Sequence, residues 1–115
     1  MKNLIAAVIF SISLISFPVF SGEWLDVNLN QIELTPTNGG NYAEGIWFSS
    51  PTPYATSLTC ANNRYITIKD TKLADRTLSI ALYAKATSAK IRVYVNGCDS
   101  QGYLNGIQSM LITSQ

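Results

Sequence analysis

The chain has 115 residues, room for one domain. Eight basic and seven acidic side chains leave a formal charge of +1, which excludes the basic face that nucleic acid or an anionic lipid surface requires. Histidine is absent, so the commonest metal ligand and the commonest general base are both missing.

Met1-Lys2-Asn3 is a short positive start, and Leu4 to Phe20 is uncharged and apolar apart from a few serines and a proline. Val19-Phe20-Ser21 then offers small residues three positions and one position before a cut. This pattern predicts a cleaved signal peptide over residues 1–21 and one mature domain over 22–115. A membrane anchor is the competing expectation. The stretch falls short of the roughly 20 apolar residues that a spanning helix needs, and Pro18 breaks its end. With no Cys near residue 20, a lipid anchor is not expected either. Loss of Lys2 leaves seven basic against seven acidic residues, a neutral domain with no membrane span, in the periplasm or outside the cell. In that oxidising setting Cys60 and Cys98 are expected to form a disulfide. The closed loop of about 39 residues favours the folded state by roughly 4 kcal/mol through chain entropy. Two Cys without His cannot fill a zinc shell, so no metal or other cofactor is expected.

Trp24 to Leu34 opens the domain. Val27 and Leu29 alternate in one phase, Ile32 and Leu34 in the other, which predicts a bulged strand or a strand that begins near Asn30. Thr35-Pro36-Thr37-Asn38-Gly39-Gly40-Asn41 is a turn. Tyr42 to Ser49 is a second strand that completes a hairpin, with Ala43, Gly45 and Trp47 on one face. Ser50 to Asn63 is a Pro-containing loop held by Cys60. Arg64 to Asp70 is a third strand, with Ile66 and Ile68 inward and Tyr65, Thr67 and Lys69 outward. Between Thr71 and Ala89 the period changes: Ala74, Leu78, Ala81, Leu82 and Lys85 form a helical stripe. Lys90 to Gly97 is a strand with Ile91, Val93 and Val95 on one face and Arg92, Tyr94 and Asn96 on the other. After an Asn-Gly-Cys-Asp turn, Gly106 to Thr113 is the last strand, with Ile107 and Leu111 on one face and Met110 and Ile112 on the other.

The expected fold is therefore mostly β with one helix, in the order β-β-β-α-β-β. That order fits an OB-like, five-stranded, partly open barrel with the helix between its third and fourth strands. The alternative is an α+β sheet with the helix on one face.

The stretch Ala89-Lys90-Ile91-Arg92-Val93-Tyr94-Val95, followed by a turn and Ile107-Gln108-Ser109-Met110, resembles the last two strands of the B subunits of cholera-type enterotoxins. The layout is also similar to subtilase- and pertussis-type toxin B subunits, some of which begin their mature chains with Glu-Trp, as Glu23-Trp24 does here. The resemblance implies an OB-fold, ring assembly into a homo-oligomer and a sugar-binding face. It covers about the last 50 residues in element order and about a dozen in side chains. The cholera-type sugar site has a Trp in the turn that here is Asn96-Gly97-Cys98, and its disulfide ties other segments. No sugar-binding residue is therefore carried over from it.

Catalysis finds little support in the residues. Without His a serine or threonine nucleophile would need Lys or a carboxylate as base, and Lys69, Lys72, Lys85 and Lys90 occupy ordinary solvated positions. Glu33 and Glu44 could face each other across the first hairpin, but nothing in their spacing sets a glycosidase separation. The chain is thus expected not to be an enzyme. The aromatics carry more. Trp47 has small neighbours that would leave its ring accessible. Tyr94 is flanked by Arg92 and Asn96, and Tyr103 lies close to the same strands. Rings with polar groups beside them suit sugar recognition, so Trp47, Arg92, Tyr94, Asn96 and Tyr103 form the candidate ligand-binding set. The leading expectation is a non-enzymatic exported binding module, engaging a glycan or an exported protein partner. Competing expectations are a structural or assembly protein and a small inhibitor presenting the Ser50–Asn63 loop. Mass spectrometry of protein recovered from the cell envelope should find a chain that begins at Gly22 and has no free thiol; two alkylatable cysteines would contradict the export assignment.

Overall fold

The computed structural model describes residues 22–35 and 44–113. The expected leader over 1–21, and the expected turn with Tyr42 and Ala43, lie outside the described residues. The elements run β1 (Glu23–Asp26), β2 (Ile32–Thr35), β3 (Gly45–Ser49), β4 (Asn62–Ile68), α1 (Thr71–Thr87), β5 (Lys90–Cys98) and β6 (Tyr103–Ile112). Among the described residues the protein is mostly β with one helix, as its periodicity predicts. The expected count of five strands, three of them before the helix, needs correction: six strands form one open sheet, and four precede the helix. The first strand is not one bulged strand. The phase change near Asn30 marks a full break, and its two halves pair with different neighbours.

The sheet order is β1-β5-β6-β4-β3-β2. All pairings are antiparallel except β4 with β6, which are parallel. The helix supplies the long crossover that a parallel pair requires. β1 and β2 are the outermost strands of this order, yet only residues 27–31 join them. Val27 N–H still donates to Ile91 O on one side (3.0 Å), and Gln31 O already accepts from Ser49 N–H on the other (3.3 Å). Four residue steps reach at most about 14 Å, whereas five strand spacings in a flat sheet span about 24 Å. The sheet is therefore rolled, with its outer strands brought near one another.

Tyr54 fastens this closure. Its hydroxyl accepts from Asn28 N–H (3.1 Å) and donates to Phe48 O (3.1 Å), joining the strap to β3. Burial raises its pKa, with the Asn28 hydrogen bond acting in the opposite sense. The surrounding loop is held by Tyr54 N–H to Asn63 O (2.9 Å), by Asn63 Nδ2 to Leu58 O (3.0 Å) and by the Cys60–Cys98 disulfide, whose Cα atoms are 5.5 Å apart.

Rolling places one face of every strand inside. Ile46, Phe48, Ile66, Ile68, Ile91, Val93, Val95 and Leu104 are fully buried there. The helix begins at Asp70, whose carboxylate accepts from Leu73 N–H (2.9 Å), and ends at Ser88 in the left-handed region (φ 58°). The face it turns to the sheet is Ala74, Thr77, Ala81 and Ala84. This corrects the expected stripe, because Leu82 is 58% exposed and Lys85 also faces solvent. Small side chains let the helix approach the rolled sheet, and Thr77 Oγ1 meets Ser109 Oγ at 2.6 Å across that contact. Gly45 (φ +153°) is needed for a similar reason: a Cβ there would lie 2.2 Å from Ile68 O. β6 starts earlier than expected, at Tyr103, and shifts register between its partners Tyr94 and Val95. Ile107 falls at that irregularity and is 48% exposed rather than sharing the core face of Leu111. Tyr54→Phe would leave the Asn28 N–H and the Phe48 carbonyl without this partner. Urea unfolding should show a loss of about 1–3 kcal/mol; an unchanged midpoint would remove the clasp from the account.

Candidate functional site

Because the aliphatic residues point inward, the alternate positions build the outer face. Across β2, β3 and β4 the register sets Glu33 beside Trp47 and Trp47 beside Thr67, and Ser49 beside Tyr65. Tyr103 enters from β6. The ring centroids of Trp47 and Tyr103 are 5.1 Å apart, those of Tyr65 and Tyr103 5.2 Å, and those of Trp47 and Tyr65 6.0 Å, all in tilted or edge-on arrangements. A cleft of about 210 Å³ runs along this cluster, lined by Glu33, Thr35, Trp47, Tyr65 and Tyr103. Trp47 does not have the accessible ring expected from its small neighbours: it is 4% exposed. The half-buried rings of Tyr65 and Tyr103 are the ones that meet solvent, with Trp47 as their floor.

Tyr103 is positioned by the turn that precedes it. Asp99 accepts from Gln101 N–H (2.8 Å), Tyr103 N–H (2.9 Å) and Thr67 Oγ1 (3.0 Å), and lies 3.3 Å from Lys69 Nζ. Its backbone N–H donates to Tyr103 O (2.7 Å). Gly102 (φ +86°) completes the turn, at a point where a Cβ would lie 2.5 Å from that of Ala61. Cys98, bonded to Cys60, anchors the residue before Asp99. The Asp99 side chain is only 3% exposed. Burial alone would raise its pKa. The Tyr103 and Gln101 N–H groups, the Thr67 hydroxyl and the Lys69 ammonium outweigh burial and hold it below the usual 3.8.

The five expected site residues do not all come together. Trp47 and Tyr103 share the cleft. Arg92 and Tyr94 lie on β5 beside β1, where Tyr94 meets Trp24 edge-on at 5.3 Å and Arg92 Nε pairs with Asp26 Oδ1 at 2.7 Å. Asn96 accepts from Asn105 Nδ2 (2.9 Å), two positions along β6 from Tyr103. Tyr65, Glu33 and Thr35 belong to the cleft but not to the expected set. Their signal was alternation with Ile66, Ile68, Ile32 and Leu34, which places them on the face opposite the core. Glu33 sits opposite Trp47 and Glu44 lies beyond the last β2–β3 pair, so these carboxylates are not cross-strand partners. Among the described residues no group of three or more His, Cys, Asp or Glu side chains stands together.

Comparisons of the chain with protein-family models, with curated proteins and with solved structures find no match. The lowered Asp99 pKa sets a pH dependence. The stabilisation it provides is complete above the unfolded-state value near 3.8 and is lost as pH falls through the lower folded-state value. Asp99→Asn should therefore unfold more readily than the parent at pH 7, by about 1–3 kcal/mol. The two proteins should converge in strongly acidic buffer, as followed by melting temperature against pH; a gap that persists undiminished would contradict this role.

Proposed function

We propose that the chain is an exported, non-enzymatic carbohydrate-binding module whose rolled sheet is an OB-like barrel, comparable in role to a toxin B subunit. In this reading β1 and β2 are separate outer strands, and the short 27–31 strap between them supports the barrel-like closure. The Cys60–Cys98 bond supports export, because such bonds persist in oxidising compartments.

The observation that carries the reading is the Trp47–Tyr65–Tyr103 cluster on the side of the sheet away from the core, with Glu33 and Thr35 along the same cleft. Tyrosine rings offer apolar faces to the C–H face of a pyranose, while a carboxylate and a hydroxyl accept and donate hydrogen bonds to its equatorial hydroxyls. Trp24, Tyr94, Arg92 and Asp26 form a second patch of similar chemistry on β1 and β5.

A second reading, assembly of copies through strand edges, has its own support. The β4–β6 ladder ends at Thr67 and Asn105, while β6 continues to Ile112 with β5 on its other side and Ile107 exposed. Light scattering on the purified chain distinguishes a ring from a single copy. For the binding reading, a glycan array followed by calorimetry is the test. Tyr103→Leu should weaken the best ligand at least about tenfold, as loss of one stacking ring does, and Tyr103→Phe should retain binding. A blank array, or equal binding by Tyr103→Leu, removes the cleft from consideration.

A further inference from the structure

Asn-Gly occurs three times in the chain, at Asn38-Gly39, Asn96-Gly97 and Asn105-Gly106. The first lies outside the described residues. The other two meet across β5 and β6, where Asn105 Nδ2 donates to Asn96 Oδ1 at 2.9 Å. We propose that Asn96-Gly97 is a self-modifying site, at which Asn96 converts to aspartate and isoaspartate, and that Asn105 promotes this conversion while its own Asn-Gly pair is held inert. The inference is independent of the saccharide reading.

The step is an intramolecular acyl transfer. The backbone nitrogen of Gly97 attacks Cγ of Asn96, its proton passes to Nδ2, and the Cγ–Nδ2 bond breaks to release ammonia. A five-membered succinimide ring is left. Water then opens the ring: cleavage of the bond from nitrogen to Cγ gives aspartate, and cleavage of the bond to the α-carbonyl gives isoaspartate. Nothing is oxidised or reduced, and water is the only co-reactant. Glycine in the second position offers no Cβ to obstruct the approach. The isoaspartate form lengthens the main chain by one atom just ahead of the Asp99 turn that seats Tyr103, so the modification bears on the aromatic cleft.

Three observations carry the proposal. First, Asn96-Gly97 stands outside the regular ladders. The β1–β5 ladder ends at the Glu23–Val95 pair, and the β5–β6 register passes from Val95–Gly106 to Cys98–Leu104. Asn96 and Gly97 together therefore oppose the single residue Asn105, as in a β-bulge. Asn96 is exposed, and at Gly97 (φ +150°) a Cβ would meet nothing within 4 Å. The chain can rotate there without displacing a packed group. Second, Asn105-Gly106 is fixed from both sides. Asn105 pairs with Thr67 of β4, Gly106 pairs with Val95 of β5, and a Cβ on Gly106 would lie 2.6 Å from Val93 Cγ1. The Gly106 nitrogen cannot swing onto the Asn105 side chain without breaking these pairings. Third, the Asn105 N–H reaches the oxygen on which negative charge develops when Cγ is attacked. A donor at that oxygen stabilises the tetrahedral intermediate. It engages Oδ1 and not the departing Nδ2, and it can hold the new carboxylate afterwards.

The test follows the folded, disulfide-bonded chain in warm, mildly alkaline buffer. Tandem mass spectrometry resolves the two asparagines, and an isoaspartyl methyltransferase assay reports the isomer. Asn96 should convert at least about tenfold faster than Asn105, since a nucleophile held ~1 Å out of place can lose about a hundredfold in rate. After reduction and unfolding in guanidinium chloride the two sites should convert at similar rates. Asn105→Ala should slow conversion at Asn96 about two- to tenfold, the factor that one exposed hydrogen bond supplies. Asn96→Gln, whose extra methylene disfavours ring closure, should stay unmodified and serves as the reference. The comparison of the two sites uses the parent chain alone, so it stands whether or not a variant folds. A folded chain in which Asn96 stays intact or reacts no faster than Asn105, or an unfolded chain with the same bias, overturns the site. A rate at Asn96 that is unchanged or raised in folded Asn105→Ala overturns the role given to Asn105.

Discussion

The strap over residues 27–31 constrains everything else in this fold. A chain that must pass from one outer strand to the other in so few residues cannot do so over a flat sheet. Curvature follows, and with it an inside and an outside. The inside takes β-branched and aromatic core residues from β3, β4 and β5, with Leu25 from β1 and Leu104 from β6. The helix packs against the sheet through a face of alanine and threonine, because little space remains beneath it. Tyr54 ties the strap to β3 and draws the 50–61 segment over the same seam. One side chain thereby links closure of the sheet to ordering of a long loop.

The candidate site inherits its geometry from that division. Once Ile66, Ile68 and Phe48 are committed to the interior, Tyr65, Thr67 and Trp47 have only the outer face to occupy. Tyr103 is brought against them by the Asp99 turn, which is itself clamped between a disulfide and the parallel ladder. The site thus stands on strands and a cross-linked turn, an arrangement that limits the ordering penalty of binding. A pocket beside the cleft is bordered by Asn28, Asn30 and Gln31, which belong to the segment that closes the sheet.

Much of the interior was legible in the sequence. The alternation of Ile66 with Ile68, and of Ile91, Val93 and Val95, predicts inward faces, and all five residues are fully buried. The expected pairing of Cys60 with Cys98 is likewise present. The break between β1 and β2 was visible only as a change of phase, since periodicity says which way a side chain faces and nothing about which strand lies alongside. The helix face was misassigned because hydrophobic stripes are drawn through the largest apolar residues, whereas close packing here selects Ala84 and Thr77 over Leu82. Ile107 was set on one face with Leu111 because a bulge moves a residue off the alternation without leaving a mark in composition. Of the site, Trp47 and Tyr103 were identified, but Tyr65, Glu33 and Thr35 join them only through cross-strand register, which requires the topology.

The position of β6 has a consequence for how the protein comes into being. The last strand of the chain occupies the middle of the sheet, between β5 and β4, and carries the parallel pairing. Until β6 docks, the β1–β5 and β2–β3–β4 groups have no sheet to join, and each presents an unmatched edge. Insertion of that one strand therefore makes the long-range contacts that slow folding all together.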